Sequence, residues 1–260
     1  MQKMRERLAA FIAPDPPEPP DPVEDLGRGL KPGSEHYRAF VGPPEDYDLL
    51  AGIQAGLLFA CGLREDHRVA DVGCGSLRAG RLLIPYLRRG HYTGLDPNAW
   101  LIDKAIEHEI GHDLIRLKAP AFVHNEDFDL AEGHGPFDFI LAQSVFSHTY
   151  PDMTTNGLRS LATQLAPGGK IVATFATGKE NTEGSGWAYP VCVQYKPEHL
   201  FELAERAGLC VFPLDWPHPR QRWFVAAAPE DRASAESLAA SVRSPATETS
   251  VRSARRRSAG

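Results

Sequence analysis

Residues 71–76 read Asp71-Val72-Gly73-Cys74-Gly75-Ser76 and follow an apolar run. Two glycines one residue apart let the backbone turn sharply and leave room for a ligand against it. The helical pattern that follows would aim its unsatisfied N–H groups at that space. Asp96 closes the next apolar run, 23 residues after Gly73 and just ahead of Pro97. A carboxylate there can accept hydrogen bonds from both hydroxyls of a ribose; its plainer use is to cap the helix that begins near Asn98. Asp127, with Phe128 beside it, follows a third apolar run. It could accept from an adenine amino group with Phe128 against the ring, or sit solvated in a loop. The dinucleotide pattern G-x-G-x-x-G fails, because Arg78 stands where its third glycine would be. Asp71 puts negative charge ahead of the turn, which suits a ligand bearing an ammonium group better than one bearing pyrophosphate.

Strands and helices must alternate to place these residues together. Residues 68–72, 92–95, 121–124, 137–142, 170–175, 209–214 and 222–227 read as strands. Residues 77–88, 100–109, 155–165 and 198–207 read as helices, and the charge-free run 49–63 as a buried helix. Pro167-Gly168-Gly169 is expected to stop the third of these, and Gly208 to cap the fourth. Apolar strands alternating with helices imply a parallel sheet covered on both faces. The last two strands lie too close for a helical crossover and should pair antiparallel. In such a sheet, ligands bind at the carboxyl ends of the strands.

One other spacing has chemical content. His108-Glu109-Ile110-Gly111-His112 fits the H-E-x-x-H zinc pattern. Its extended form fails at Ile115 and Lys118, and Gly111 weakens the helix it needs. No metal site is expected.

The chain has 260 residues, 42% hydrophobic and 24% charged, which excludes wholesale disorder and collagen. No charge-free stretch reaches the roughly 20 residues of a spanning helix, and residues 8–13 are too short for a secretory core. Cys61, Cys74, Cys192 and Cys210 show no paired spacing, so a cytoplasmic chain with free thiols is expected. Residues 1–33 hold a short amphipathic segment and a proline-rich linker, with six prolines between Pro14 and Pro22. Residues 34–228 form the expected domain and carry 24 acidic against 17 basic groups. That balance argues against a nucleic-acid substrate and for a small molecule. Residues 229–260, with the cluster Arg252, Arg255, Arg256 and Arg257, read as a disordered Ser/Ala/Arg tail.

Taken in order, Asp71-Val72-Gly73-Cys74-Gly75, Asp96, Asp127, Phe137-Asp138-Phe139-Ile140 and Leu165-Ala166-Pro167-Gly168-Gly169-Lys170 resemble the class I S-adenosylmethionine-dependent methyltransferases, over residues 34–228. The resemblance implies an α/β, Rossmann-like seven-stranded, mostly parallel sheet in the order 3-2-1-4-5-7-6, with strand 7 antiparallel and helices on both faces. It implies S-adenosyl-L-methionine as cofactor. Asp71, Gly73, Cys74 and Gly75 would surround its methionyl part, Asp96 and Pro97 its ribose, Asp127 and Phe128 its adenine. Gln143 and Ser144 would face cofactor and acceptor. The family pattern D-x-G-x-G-x-G has a third glycine where this chain has Leu77. The activity implied is methyl transfer to an oxygen or nitrogen of a small-molecule acceptor. His148 lies just past the fourth strand and could serve as the base a hydroxyl acceptor needs, or could be an ordinary hydrogen-bonded histidine. His36, Tyr37, Tyr47, Trp187, Tyr189, Trp216 and His218 are candidates for lining an acceptor pocket. The glycine-rich segment 177–193 is expected to shape specificity. Two other readings stay open: a non-catalytic S-adenosylmethionine-binding module, and an NAD-dependent oxidoreductase.

Overall fold

A computed structural model of the chain describes residues 26–131 and 133–243. The amphipathic segment, most of the proline-rich linker and the Arg252 to Arg257 cluster lie outside the described residues. Seven strands form one sheet: β1 (Val69–Val72), β2 (Tyr92–Leu95), β3 (Ala121–Val123), β4 (Phe137–Ala142), β5 (Leu165–Phe175), β6 (Cys210–Leu214) and β7 (Arg222–Ala227). Their order is β3-β2-β1-β4-β5-β7-β6, and β7 runs antiparallel to both its neighbours. This is the sheet implied by the family resemblance. The helices are α1 (Tyr37–Phe40), α2 (Tyr47–Ala60), α3 (Gly80–Tyr86), α4 (Ala99–Ala105), α5 (His112–Lys118), α6 (Pro151–Ala162), α7 (Pro197–Arg206) and α8 (Arg232–Ser241).

The strands are apolar on both faces, so alternate residues feed two cores. Ala70, Val72, Ile140, Ala142, Ile171 and Ala173 pack with Leu158 and Leu161 of α6 and with Leu200 and Leu203 of α7. Val69, Phe139, Leu141, Val172 and Val225 pack with Leu57 and Leu58 of α2, Leu83 of α3 and Ile102 of α4. Each buried aliphatic side chain contributes about 1.5–3 kcal/mol, so shifting any strand by one residue would exchange the two cores' contents at a large cost.

Four boundaries depart from the sequence reading, each for a local reason. The helix expected from residue 77 starts at Gly80, because Leu77 adopts φ +54° and ends the turn in the left-handed region. The helix expected over 100–109 is α4 followed by a π-helical turn, Ile106–Ile110, which Gly111 ends at φ +84°. Pro167-Gly168-Gly169 lies inside β5, where the pairing with β4 shifts register between Phe137 and Phe139. The tail reading fails over its first part. Residues 229–242 form a 3-10 turn and then α8, with Ala235 and Val242 buried and Ala235 packed against Cys210 and Ala227. β6 lies at the edge of the sheet, and α8 buries surface it would otherwise expose.

Candidate functional site

The glycine turn is held shut by its surroundings. Gly73 and Gly75 sit at φ +65° and +51°. The Gly73 and Cys74 N–H groups both donate to the Leu95 carbonyl at the end of β2, at 2.7 and 3.1 Å. A Cβ on Gly73 would lie 2.5 Å from Val145, and one on Gly75 2.5 Å from Val41, so a side chain at either position displaces a neighbour. Leu77 stands where the family has glycine and still takes a left-handed φ; full burial holds it there against a cost of about 1–2 kcal/mol. From beneath, the buried Tyr47 hydroxyl donates to the Ser76 carbonyl at 2.7 Å.

Asp96 follows β2 directly and is 7% exposed. Its Oδ2 accepts from the Gly75 N–H at 2.9 Å, while Oδ1 accepts from the Asn98 backbone at 2.9 Å and side chain at 3.1 Å. Burial raises its pKa against those bonds. A carboxylate has roughly four acceptor positions. Three are engaged, so Asp96 can take one further donor without losing a present one. Asp96 thus holds the backbone ahead of α4, whose N-cap is Asn98, and keeps one free acceptor position beside the glycine turn, fewer than the two that both hydroxyls of a ribose would use. Pro97 is exposed next to it. Asp71 does not face a ligand ammonium. It is 4% exposed, the Tyr92 hydroxyl donates to it at 2.8 Å, and burial pushes its pKa to about 7.

A second polar cluster lies beyond the carboxyl end of β4. Gln143 is buried, and its Oε1 accepts from Arg78 and from Gln54 Nε2, the latter at 2.9 Å. Its own amide nitrogen is 3.1 Å from His218 Nε2. Ser144, at φ +64°, donates its N–H to Thr174 of β5 at 2.7 Å. Gln221 donates to the hydroxyls of Ser144 and Ser147 at 2.7 and 3.1 Å.

His148 ends the 3-10 turn Phe146–His148, and its Nδ1 lies 2.9 Å from the Val191 carbonyl. A carbonyl only accepts, so Nδ1 carries the proton and Nε2 keeps the lone pair. Burial lowers the pKa of His148 and so favours the neutral ring. A neutral imidazole with its tautomer fixed is what a general base requires.

Comparison with known proteins converges on one domain type. A methyltransferase-domain family model matches residues 70–171. Over 112 residues, the chain is 38% identical to a ubiquinone biosynthesis O-methyltransferase of Caulobacter sp. (strain K31), covering 42% of this chain and 41% of that protein. The match thus spans about two-fifths of the curated relative's length. The CcbJ methyltransferase of Streptomyces caelestis superposes with a TM-score of 0.54 at 18% identity, over 68% of this chain and 90% of that one. A magnesium protoporphyrin IX methyltransferase of Synechocystis PCC 6803, solved with bound S-adenosylmethionine, gives 0.53 at 16% identity, over 71% and 81%. At these identities the likeness is one of fold. Residues 70–171 thus match a methyltransferase domain, and the sheet shares the fold of solved methyltransferases.

Several residues beside the turn have the chemistry to hold S-adenosylmethionine. Gly73 and Gly75 pack directly against Val145 and Val41, and Asp96 retains acceptor capacity beside them. Asn125, which the sequence reading passed over, has a buried Oδ1 with no partner, in the segment expected to meet adenine. Asp127 is exposed there and accepts only a 3.4 Å contact from the Asp129 N–H. Phe128 is 2% exposed, with Phe146 and Trp187 stacked at 5.8 and 5.5 Å. Its ring belongs to the core and is not placed to lie against a base. An Asn among charged neighbours carries no periodic signal, which is why spacing pointed to Asp127 instead.

The aromatic candidates divide. Tyr37 donates to Glu109 at 3.0 Å, Tyr47 supports the turn, and Trp216 donates to the Ile53 carbonyl at 3.0 Å; these serve packing. The His36 ring accepts from the Arg38 N–H at the start of α1. Tyr189 spans the site instead. Its ring meets His148 at 5.2 Å and Phe40 at 5.6 Å, and Phe40 in turn meets Trp100 at 5.3 Å. The segment 177–193 is tied to the turn after β4: Ala188 N–H donates to His148, and Val193 N–H to Ser147, at 2.7 and 2.8 Å. Asp152 accepts from Ser185 at 2.6 Å and from the Gly186 N–H at 3.0 Å.

The H-E-x-x-H residues do not share one α-helical turn, because Gly111 separates the π-helical turn from α5. Glu109 instead accepts from Arg38 Nε at 2.6 Å and pairs with Arg81 at 3.2 Å. Among the described residues, no group of three or more His, Cys, Asp or Glu side chains could hold a metal ion, and no helix is long and apolar enough to cross a membrane.

Proposed function

We propose that the chain transfers a methyl group from S-adenosylmethionine to an oxygen or nitrogen of a small-molecule acceptor. The observation that carries this reading is the Gly75 N–H bonded to Asp96 across the ends of β1 and β2, which makes a bare backbone turn and a fixed acid into one rigid unit. When bound, S-adenosylmethionine supplies a methyl group already activated by its sulfonium. The protein's work is then alignment and proton handling. Asp96 orients the ribose, the glycine turn admits the methionyl part, and Asn125 offers its unpaired Oδ1 to the adenine amino group. Tyr189, Phe40 and Trp100 exclude water from above. His148 Nε2 takes the proton from a hydroxyl acceptor, and the Val191 carbonyl steadies the imidazolium through Nδ1–H. An amine acceptor needs only to arrive neutral. The O-methyltransferase relative and the acidic domain surface both support a small acceptor over a nucleic acid.

Calorimetry with S-adenosylmethionine and with NADH, on wild type and Asp96→Ala, tests the reading. The methyl donor should bind more tightly than NADH, and the variant should lose about 1–3 kcal/mol of that binding. Equal affinity in the variant, or preference for NADH, would remove the assignment.

A further inference from the structure

Arg78 is a buried cation that the protein leaves without a counter-ion. It is 8% exposed. Its guanidinium donates to two neutral oxygens, the Val41 carbonyl at 3.1 Å and Gln143 Oε1, and its Nε has no partner. Among the described residues it pairs with no carboxylate. The acids near enough to act on it are committed elsewhere: Asp71 is bonded to Tyr92, and Asp46 to Arg220 at 2.7 Å. Burial brings the pKa of Arg78 down to about 10, and the positive charge of Arg220 adds to that, yet it stays charged at neutral pH.

The groups around it are also incompletely paired. His218 Nδ1 accepts from the N–H groups of Arg220 and Gln221 at 3.1 and 2.8 Å. The ring's single proton therefore sits on Nε2, since burial lowers the pKa of His218 to about 4 and the ring is neutral. That N–H faces the Gln143 amide nitrogen at 3.1 Å, so two donors oppose each other. Gln143 Oε1 already serves Arg78 and Gln54. Turning the Gln143 amide would satisfy His218 and set its NH2 against Arg78 instead. Gln54 is 3% exposed; its amide nitrogen donates to Gln143, and its Oε1 is an acceptor without a partner. A buried charge without a counter-ion is costly alone and is satisfied by an anion with several acceptor positions.

We infer that Arg78, with Gln54, Gln143 and His218, forms a carboxylate-binding site, and that the methyl acceptor carries that carboxylate. A planar carboxylate matches the planar guanidinium fork, whose orphaned Nε–H and neighbouring N–H groups can donate in parallel. It would give His218 Nε2–H and the Gln143 amide nitrogen the oxygen they lack. Three of the four residues favour the acceptor over the cofactor. Gln143 follows β4, Gln54 lies on α2 and His218 lies between β6 and β7, away from the ends of β1 and β2, while Arg78 itself follows Gly75 by three residues and borders both sites. The same short segment, 143–148, carries both Gln143 of this site and the base His148. This inference rests on the methyltransferase reading above.

The test is calorimetry on the full chain preloaded with S-adenosylhomocysteine, titrated with benzoate, 4-hydroxybenzoate and acetate and with the corresponding neutral amides. At least one carboxylate should bind tenfold or more tightly than its amide, and Arg78→Gln should abolish that preference. Gln54→Leu, which keeps the charge, should weaken the same carboxylate several-fold and serves as the second variant if Arg78→Gln does not fold. S-adenosylhomocysteine and 5′-methylthioadenosine, which lacks the amino-acid carboxylate, should each bind Arg78→Gln within about twofold of wild type. Equal binding of acids and amides, or no binding of any acid, would overturn the inference. So would an Arg78→Gln loss confined to S-adenosylhomocysteine, which would assign the site to the cofactor's own carboxylate. Failure of wild type to bind S-adenosylhomocysteine at all would instead strike the methyltransferase reading.

Discussion

Arg38 and Arg78 are both more than nine-tenths buried, yet the protein treats them in opposite ways. Arg38 shares Glu109 with Arg81 and lies over the Tyr47 ring at 4.6 Å. Burial alone would lower its pKa, but its bonds to Tyr37 and Glu109 outweigh that and raise it. Arg78 has only neutral oxygens as partners, and its pKa falls. The first cation is part of the architecture: it ties the segment containing α1 to the π-helical turn after α4. The second is left for something that arrives. A buried ion pair completed within the chain marks structure, and a buried charge lacking its partner marks a site.

The largest effect expected is on the completed cluster. Glu109→Leu leaves Arg38 and Arg81 with only the exposed Asp48 as a shared acid and should cost about 3–5 kcal/mol in urea unfolding. A cost below about 1 kcal/mol would erase the contrast. On the other side, His148→Gln should lower kcat by about a hundredfold, or about 2.7 kcal/mol, and leave S-adenosylhomocysteine affinity and stability unchanged. The pH profile carries the sign. Burial lowers the pKa of His148, so the wild-type rate should fall on the acid side as the base is protonated, and the variant should lack that limb. Gly75→Ala, which forces a Cβ against Val41 at φ +51°, should cost about 2 kcal/mol of stability and most of the cofactor affinity in the same titration. The smallest effect is the most discriminating. Arg78→Met should change stability by about 1 kcal/mol or less, and in the stabilising direction, because it removes an uncompensated buried charge. Thermal unfolding of Glu109→Leu and Arg78→Met side by side would show whether the two arginines differ as described.

Much of the sheet was legible because each strand is an apolar run bounded by turn residues, as in residues 137–142. The glycine turn and the acid beside it were legible for a related reason: Gly73, Gly75 and Asp96 take their places through backbone freedom and strand ends, which are local properties. Asp71, Phe128 and α8 were misread because their roles depend on Tyr92, on Phe146 and Trp187, and on the edge strand β6. Those partners lie 18 to 59 residues away from Asp71 and Phe128 in the chain.

By itself, the sequence determined the alternation of strands and helices, the glycine turn and the acid that faces it, because these follow from local propensity and from apolar runs. Tertiary structure alone decided which charges are compensated. Glu109 reaches Arg38 across 71 residues, and His218 reaches Gln143 across 75. Electrostatic pairing acts over ångströms of space and is blind to chain separation, so only the packed fold could show that one buried arginine has its partner and the other does not.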